Sequence, residues 1–319
     1  MRTPFDYFAD RFTLTPRSLR WATTAALTVS ILIIFTGGVV RVTGSGLGCP
    51  TWPNCNPNSL SPTGEFGIHG IIEFSNRVFS AFIAVPVAWV IIAARLQKPR
   101  ERSLTKLAWS QFWLVVANAV AGGVTVLAGL NPWIVAMHFV LAIALLTTTG
   151  LTWHRVHEIA PSTLATPSSS ARGLSWALIL VCLVLIIVGT LVTGSGPHSG
   201  DSAEVSRMPL DWAAVTIVHG ILGTATLALA VILWFVLRRG ADTALARRRV
   251  VIFVVVIIAQ GAIGLTQALD ALPALLVALH LLGAAFVWVG ALRVLLEVNP
   301  GLFRGRMQEQ FLPQETVSL

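Results

Sequence analysis

The chain has 319 residues, of which 55% are hydrophobic and 11% charged, with a formal net charge of +8. Soluble domains carry roughly 25% charged residues, so this composition excludes a water-soluble globular protein and points to an all-α, polytopic membrane protein. The basic residues are spread over predicted helix ends rather than gathered into one patch, which argues against nucleic acid as a partner.

A bilayer core about 30 Å thick takes about 20 apolar residues per helix. Eight runs meet that length: 21–42, 69–95, 105–129, 132–153, 174–194, 211–237, 249–269 and 272–296. A basic arm, 1–20, with Arg2, Arg11, Arg17 and Arg20, precedes the first run. That run is too long for a signal-peptide core and reads as a retained helix. The first outer segment, 43–68, opens on V-T-G-S-G and carries Cys49 and Cys55 in C-P-T-W-P-N-C. Its glycines suit tight turns. They lack the flanking strand and spacing of a nucleotide loop. The cysteine pair reads either as a structural staple or as a redox-active thiol pair, since an outer compartment permits disulfides.

The second run begins I-H-G-I-I-E-F-S-N-R. His69, Glu73 and Asn76 share one helix face at this spacing, and Glu73 precedes Arg77 by four residues, which permits an ion pair. Either that pair only neutralises itself, or Glu73 relays protons while Arg77 pairs with it or with an acidic group of a ligand. The fourth run carries His138 in V-A-M-H-F-V. A linker, 154–173, rich in Ser, Thr, Pro and Ala around 160–172, reads as a flexible loop. The fifth run holds Cys182, a core residue, and ends on a second V-T-G-S-G. His198 follows in a second outer segment, 195–210, where it is solvated or covers a ligand edge. The sixth run carries His219 in I-V-H-G, and the eighth carries His280 in V-A-L-H-L-L. The polar tail, 297–319, has no readable role.

Basic residues fill alternate loops, among them Arg95, Lys98, Arg100, Arg102 and Lys106, then Arg155 and Arg172, then Arg238, Arg239, Arg247, Arg248 and Arg249. The positive-inside rule then puts both termini in the cytoplasm. Trp21, Trp133, Trp153, Trp176 and Trp212 fall near run ends, as an interfacial aromatic belt does.

His138 and His280 stand in near-identical settings 142 residues apart, and the two V-T-G-S-G segments are offset by 150. The chain therefore reads as two four-helix bundle repeats, 21–153 and 174–296, running in the same direction. Ionisable side chains inside a bilayer are costly and usually functional. His219 and His280 lie about 12 Å below the outer surface on parallel runs, so the two imidazoles can face each other at one level. That arrangement suits the axial ligation of one haem iron. The bland alternative is two polar residues satisfied by packing partners. In the first half, depth matches His138 with Asn76, and an amide is not a good iron ligand. That half would hold one strong ligand and an open position, which is what substrate or oxygen chemistry needs. His69, about 10 Å above Asn76, is the alternative second ligand.

These residues together resemble the haem A synthase family, eight-helix membrane enzymes of the terminal-oxidase pathway. The carriers are V-T-G-S-G-L-G-C-P-T-W-P-N-C at 42–55, I-I-E-F-S-N-R at 71–77, A-M-H-F at 136–139, V-H-G at 218–220 and A-L-H-L at 278–281. The resemblance implies that His219 and His280 hold a haem b cofactor. It implies that the first half is catalytic and binds haem O with help from His138. Glu73 and Arg77 match the glutamate and arginine of the family's E-x-x-H-R. Cys49 and Cys55 match the outer-loop cysteines of the group that carries them. The family's histidine in E-x-x-H-R is Asn76 here, which leaves the second position to His69 or water. The implied reaction oxidises the C8 methyl of haem O to the formyl group of haem A, with haem b relaying electrons. A cell-membrane location follows. The expected partners are lipid, an electron donor that the sequence does not identify and, as candidates, a haem O synthase and a second copy of the chain. Two competing classes are a b-type membrane cytochrome that only transfers electrons, and a small transporter, for which the interior offers few coupling charges.

Overall fold

The computed structural model describes residues 11–157, 167–198, 200–201, 205–240 and 243–303. The start of the basic arm, most of the linker and residues 304–319 of the tail lie outside the described residues. Among the described residues the fold is all helical, with two isolated bridges and no strand. Eight helical segments are long and apolar enough to cross a membrane.

The first half contains α1 (Pro16–Val42), α2 (Gly67–Phe82), α3 (Ala84–Arg95), α4 (Arg102–Leu127) and α5 (Pro132–His157). The second contains α6 (Ser169–Ser195), α7 (Trp212–Arg238), α8 (Ala244–Leu269) and α9 (Ala274–Val298). Capping residues outside the apolar windows set several starts. Thr15 Oγ1 accepts from the Ser18 N–H with Pro16 just inside α1. Ser168 Oγ accepts from the Ala171 N–H, and Asp211 from the Ala214 N–H. The expected linker is shortened as a result: α5 runs on to His157, and α6 starts at Ser169 rather than at 174.

The second span departs from the expected single helix over 69–95. It breaks at Ile83 into α2 and α3. Pro86 lies four residues beyond Phe82, lacks the N–H that would bond the Phe82 carbonyl, and crowds that carbonyl with its ring. The two V-T-G-S-G copies also fold differently. In the first the helix ends at Val42 and Gly44 takes φ +64°, while in the second α6 continues through Ser195.

In each half the helices pack in a closed ring. α1 touches α3 and α5, α3 touches α4, and α4 touches α5; likewise α6 touches α7 and α9, α7 touches α8, and α8 touches α9. Across the halves α9 packs on α1 and α5, and α5 on α6. These relations are consistent with a parallel repeat. The loops following α1 and α6 meet at one end of the bundle, the cap end: the Gly46 N–H donates to the Gly200 carbonyl and the Leu47 N–H to Asp201 Oδ2, both at 2.8 Å. Beside them Arg41 Nη2 donates to the Thr193 carbonyl at 2.6 Å, a cation at the carbonyl-rich end of two helices.

The buried apolar core lies toward the opposite end. One cluster joins Leu19, Val29, Val87, Leu104 and Leu145; the other joins Leu178, Leu233, Phe253, Trp288 and Val294. Beyond Pro132, the buried residues of α5 begin at Ile143, and those of α7 at Thr226. The cap-end portions of α5 and α7 thus carry few buried residues.

Candidate functional site

His138, His219 and His280 lie in the cap-end portions of their helices, whereas His154 and His157 are in the last turn of α5 at the opposite end. His138 is six residues past the start of α5, His280 six past that of α9, and His219 seven past that of α7. The depth is about 9–10 Å. α7 and α9 are diagonal members of their ring, so His219 and His280 meet across the bundle interior. Their ring centroids are 6.2 Å apart at an interplanar angle of 64°. Two metal–imidazole bonds of about 2 Å, with about 1 Å from each ring nitrogen to its centroid, span about 6 Å. The buried Nδ1 atoms of His219, His280 and His138 have no hydrogen-bond partner. Buried polar atoms normally find one. Among the described residues no three His, Cys, Asp or Glu side chains converge as a metal site. Two facing imidazoles without further donor side chains fit a porphyrin-bound iron, which His219 and His280 would hold.

The first half has the same layout with a different partner. Asn76 lies on α2, and its buried Oδ1 also lacks a hydrogen bond. The disulfide loop folds back beside α2: Arg77 bonds the Thr51 carbonyl, the Trp52 indole lies against Gly123 of α4, and the neighbouring Gly122 faces the His138 ring. His69 is seven residues nearer the cap end than Asn76, about 10 Å, and its Nδ1 is bonded to Ser45 Oγ at 2.9 Å.

Glu73 is 4% exposed. Its Oε2 accepts from the Cys49 N–H at 2.5 Å, and its Oε1 accepts from Arg77 Nε at 3.1 Å and Nη2 at 2.5 Å. Arg77 Nη2 also donates to the Cys49 carbonyl, and Nη1 to the carbonyls of Thr51 and Asn54. A guanidinium has five N–H donors, and here all are engaged by Glu73 and the loop. The ion pair is thus a clamp on the loop, and Arg77 has no donor left over for a ligand carboxylate. Cys49 and Cys55 form a disulfide with both residues buried, the geometry of a staple. Arg77→Ala leaves Glu73 buried without its partner and should cost about 3–5 kcal/mol. Thermal unfolding would register the loss. Labelling with a thiol reagent after mild reduction should show the disulfide newly accessible, whereas wild-type accessibility would mean the clamp is dispensable.

His198 is half-buried, and its Nε2 lies 2.9 Å from the Leu272 carbonyl, tying the second cap to the turn between α8 and α9. Cys182 is buried in the core, as expected.

Sequence reasoning missed Gln260 and two glycines. Gln260 Nε2 on α8 donates to the His280 carbonyl at 2.6 Å and joins the two helices at the site. Its signal was A-N-A-V-A-G at 117–122 against A-Q-G-A-I-G at 259–264, the same offset of 142 that relates His138 to His280.

The fold and site define a multi-pass helical membrane protein with a facing histidine pair in the interior of its second bundle. The model of the cytochrome oxidase assembly protein family, COX15-CtaA, matches residues 19–292, and the chain belongs to that family. Relatives include the heme A synthase of Lysinibacillus sphaericus, 28% identical over 61% of this chain and 62% of the relative. The heme A synthase of Symbiobacterium thermophilum is 28% identical over 72% of this chain and 82% of its own length. That of Staphylococcus epidermidis is 25% identical over 61% and 64%. The match thus spans about three fifths of the length of the first and last of these relatives.

Proposed function

We propose that the chain is a haem A synthase, converting the C8 methyl of haem O to the formyl group of haem A. The observation that carries this is the facing pair of His219 and His280 in the bundle interior of the second half, with His138 at the corresponding depth in the first. Membership of the family and relatives named heme A synthase support it.

His219 and His280 would hold haem b, which supplies one-electron transfer when bound. His138 would hold the iron of the substrate haem O from one side. Asn76, whose amide is a poor iron ligand, would leave the other side accessible to oxygen. Two successive hydroxylations of the methyl give an aldehyde hydrate, which loses water. Glu73 is the proton-exchanging group nearest in sequence to Asn76, and its three hydrogen bonds hold the carboxylate in one orientation. The Arg77 clamp keeps the disulfide loop, with Trp52, against α4 beside this half. The apolar interior accepts the farnesyl tail of haem O. Basic loops at the end opposite the caps support cytoplasmic termini in the cell membrane. Lipid, an electron donor, a haem O synthase and a second copy of the chain are the proposed partners.

Expression in cells that make haem O but no haem A tests this. Appearance of haem A, or of its hydroxylated precursor, in extracted membranes is the expected result. A b-type spectrum with haem O unchanged would instead mean an electron carrier.

A further inference from the structure

We propose that Gly189 and Gly264 are positioning residues, each a flat seat of backbone that sets one imidazole. This rests on the haem reading of the histidines. A Cβ added at Gly264 would lie 3.0 Å from His280 Cε1 and 3.5 Å from its Nδ1. One at Gly189 would lie 3.1 Å from His219 Cε1 and 3.5 Å from Nδ1. One at Gly122 would lie 3.4 Å from His138 Cε1 and 3.7 Å from Nε2. Each glycine is on the helix preceding its histidine in the chain. Each sits five or six residues before that helix ends, while the histidine sits six or seven residues into the next.

The tight approach recurs at both histidines of the facing pair, whereas at Gly122 a methyl group would make ordinary contact with His138, and a helix interior otherwise disfavours glycine relative to alanine. What the glycines offer is an absence of bulk. A metal-ligating histidine is usually oriented by a hydrogen bond from its second ring nitrogen. Here Nδ1 of all three rings lacks one. The polar groups that the second-half rings approach are backbone ones, at Leu185 for His219 and Gln260 for His280. Each is four residues before the glycine, and the approach stops short of a hydrogen bond. The seat therefore helps set orientation, by letting each ring lie against that backbone. A methyl group would push the ring edge and close off that backbone.

Other glycines on the same helices serve as controls, since a Cβ at Gly261 or Gly223 meets nothing within 4 Å. The test uses the full-length protein in detergent, with haem b per protein and the low-spin electron paramagnetic resonance spectrum as readouts. Gly261→Ala should match wild type in both. Gly264→Ala should shift the low-spin signal and weaken haem retention about tenfold or more, the range for loss of a group that orients a ligating histidine. Gly189→Ala should do the same from the other ring, which covers the case of a misfolded Gly264 variant, identified by gel filtration. A Gly264→Ala or Gly189→Ala protein indistinguishable from Gly261→Ala overturns the inference. A wild-type protein without haem b overturns instead the reading on which it rests, before any variant is made.

Discussion

Glu73→Gln is expected to lower haem A formation by about 10²–10⁴-fold, the usual contribution of a positioned acid or base, while haem b remains bound. Gln keeps the shape of the side chain and removes its charge. Glu73→Ala is a poorer test, because it strands Arg77, whose Nε and Nη2 both donate to Glu73 Oε1. A partner left buried alone costs about 3–5 kcal/mol and would mix stability with chemistry. His138→Ala should give the same separation, with haem A lost and haem b kept. Both outcomes follow from where the residues stand: Glu73 and His138 are in the first bundle, whereas His219 and His280 are in the second. Quantifying both haems in each variant by extraction and mass checks this. Loss of haem b in the Glu73→Gln protein would contradict the division of labour between the halves.

The second large effect is expected at the facing pair. His219→Ala or His280→Ala should remove haem b, and with it haem A formation. Removing a supporting group around a metal ligand already costs roughly 10- to 100-fold in affinity, so deleting a ligand should cost at least that. The rings are 6.2 Å apart, and the surroundings offer no third His, Cys, Asp or Glu to take over, among the described residues. The absorption spectrum of purified protein reads this directly. Each single variant should lose the bis-histidine signal, and the double variant should be no worse. Retention of a wild-type spectrum in either single variant would mean that the iron is held elsewhere.

Eight spans and a histidine pair were legible in the sequence because a bilayer imposes length and apolarity on each crossing, and an imidazole within such a run stands out. Helix starts were less legible. Thr15 and Ser168 cap their helices from outside the apolar windows, so hydropathy alone begins α1 and α6 late. The break at Ile83 had its signal in Pro86, but hydropathy runs smoothly through both helices. Register was the harder problem. I-H-G-I at 68–71 echoes V-H-G-I at 218–221 with the same offset of 150 as V-T-G-S-G. Sequence alignment alone would make His69 the counterpart of His219. In the fold the disulfide loop returns alongside α2, where His69 is bonded to Ser45 and Arg77 to the loop. The role of Arg77 was illegible for the same reason. Three of its acceptors are loop carbonyls, whose positions depend on how residues 49–55 fold. The glycine seats were present in the repeat, yet a glycine in an apolar run announces nothing until its neighbour is known.

The most direct test is to purify the protein from cells that also make haem O, extract its haems and identify them by mass. The account predicts haem b together with haem A or its hydroxylated precursor. Haem b alone, with haem O unmodified in the same membranes, would contradict it and leave a cytochrome whose first half has lost its chemistry. Asn76→His would then show whether a second ligand restores it.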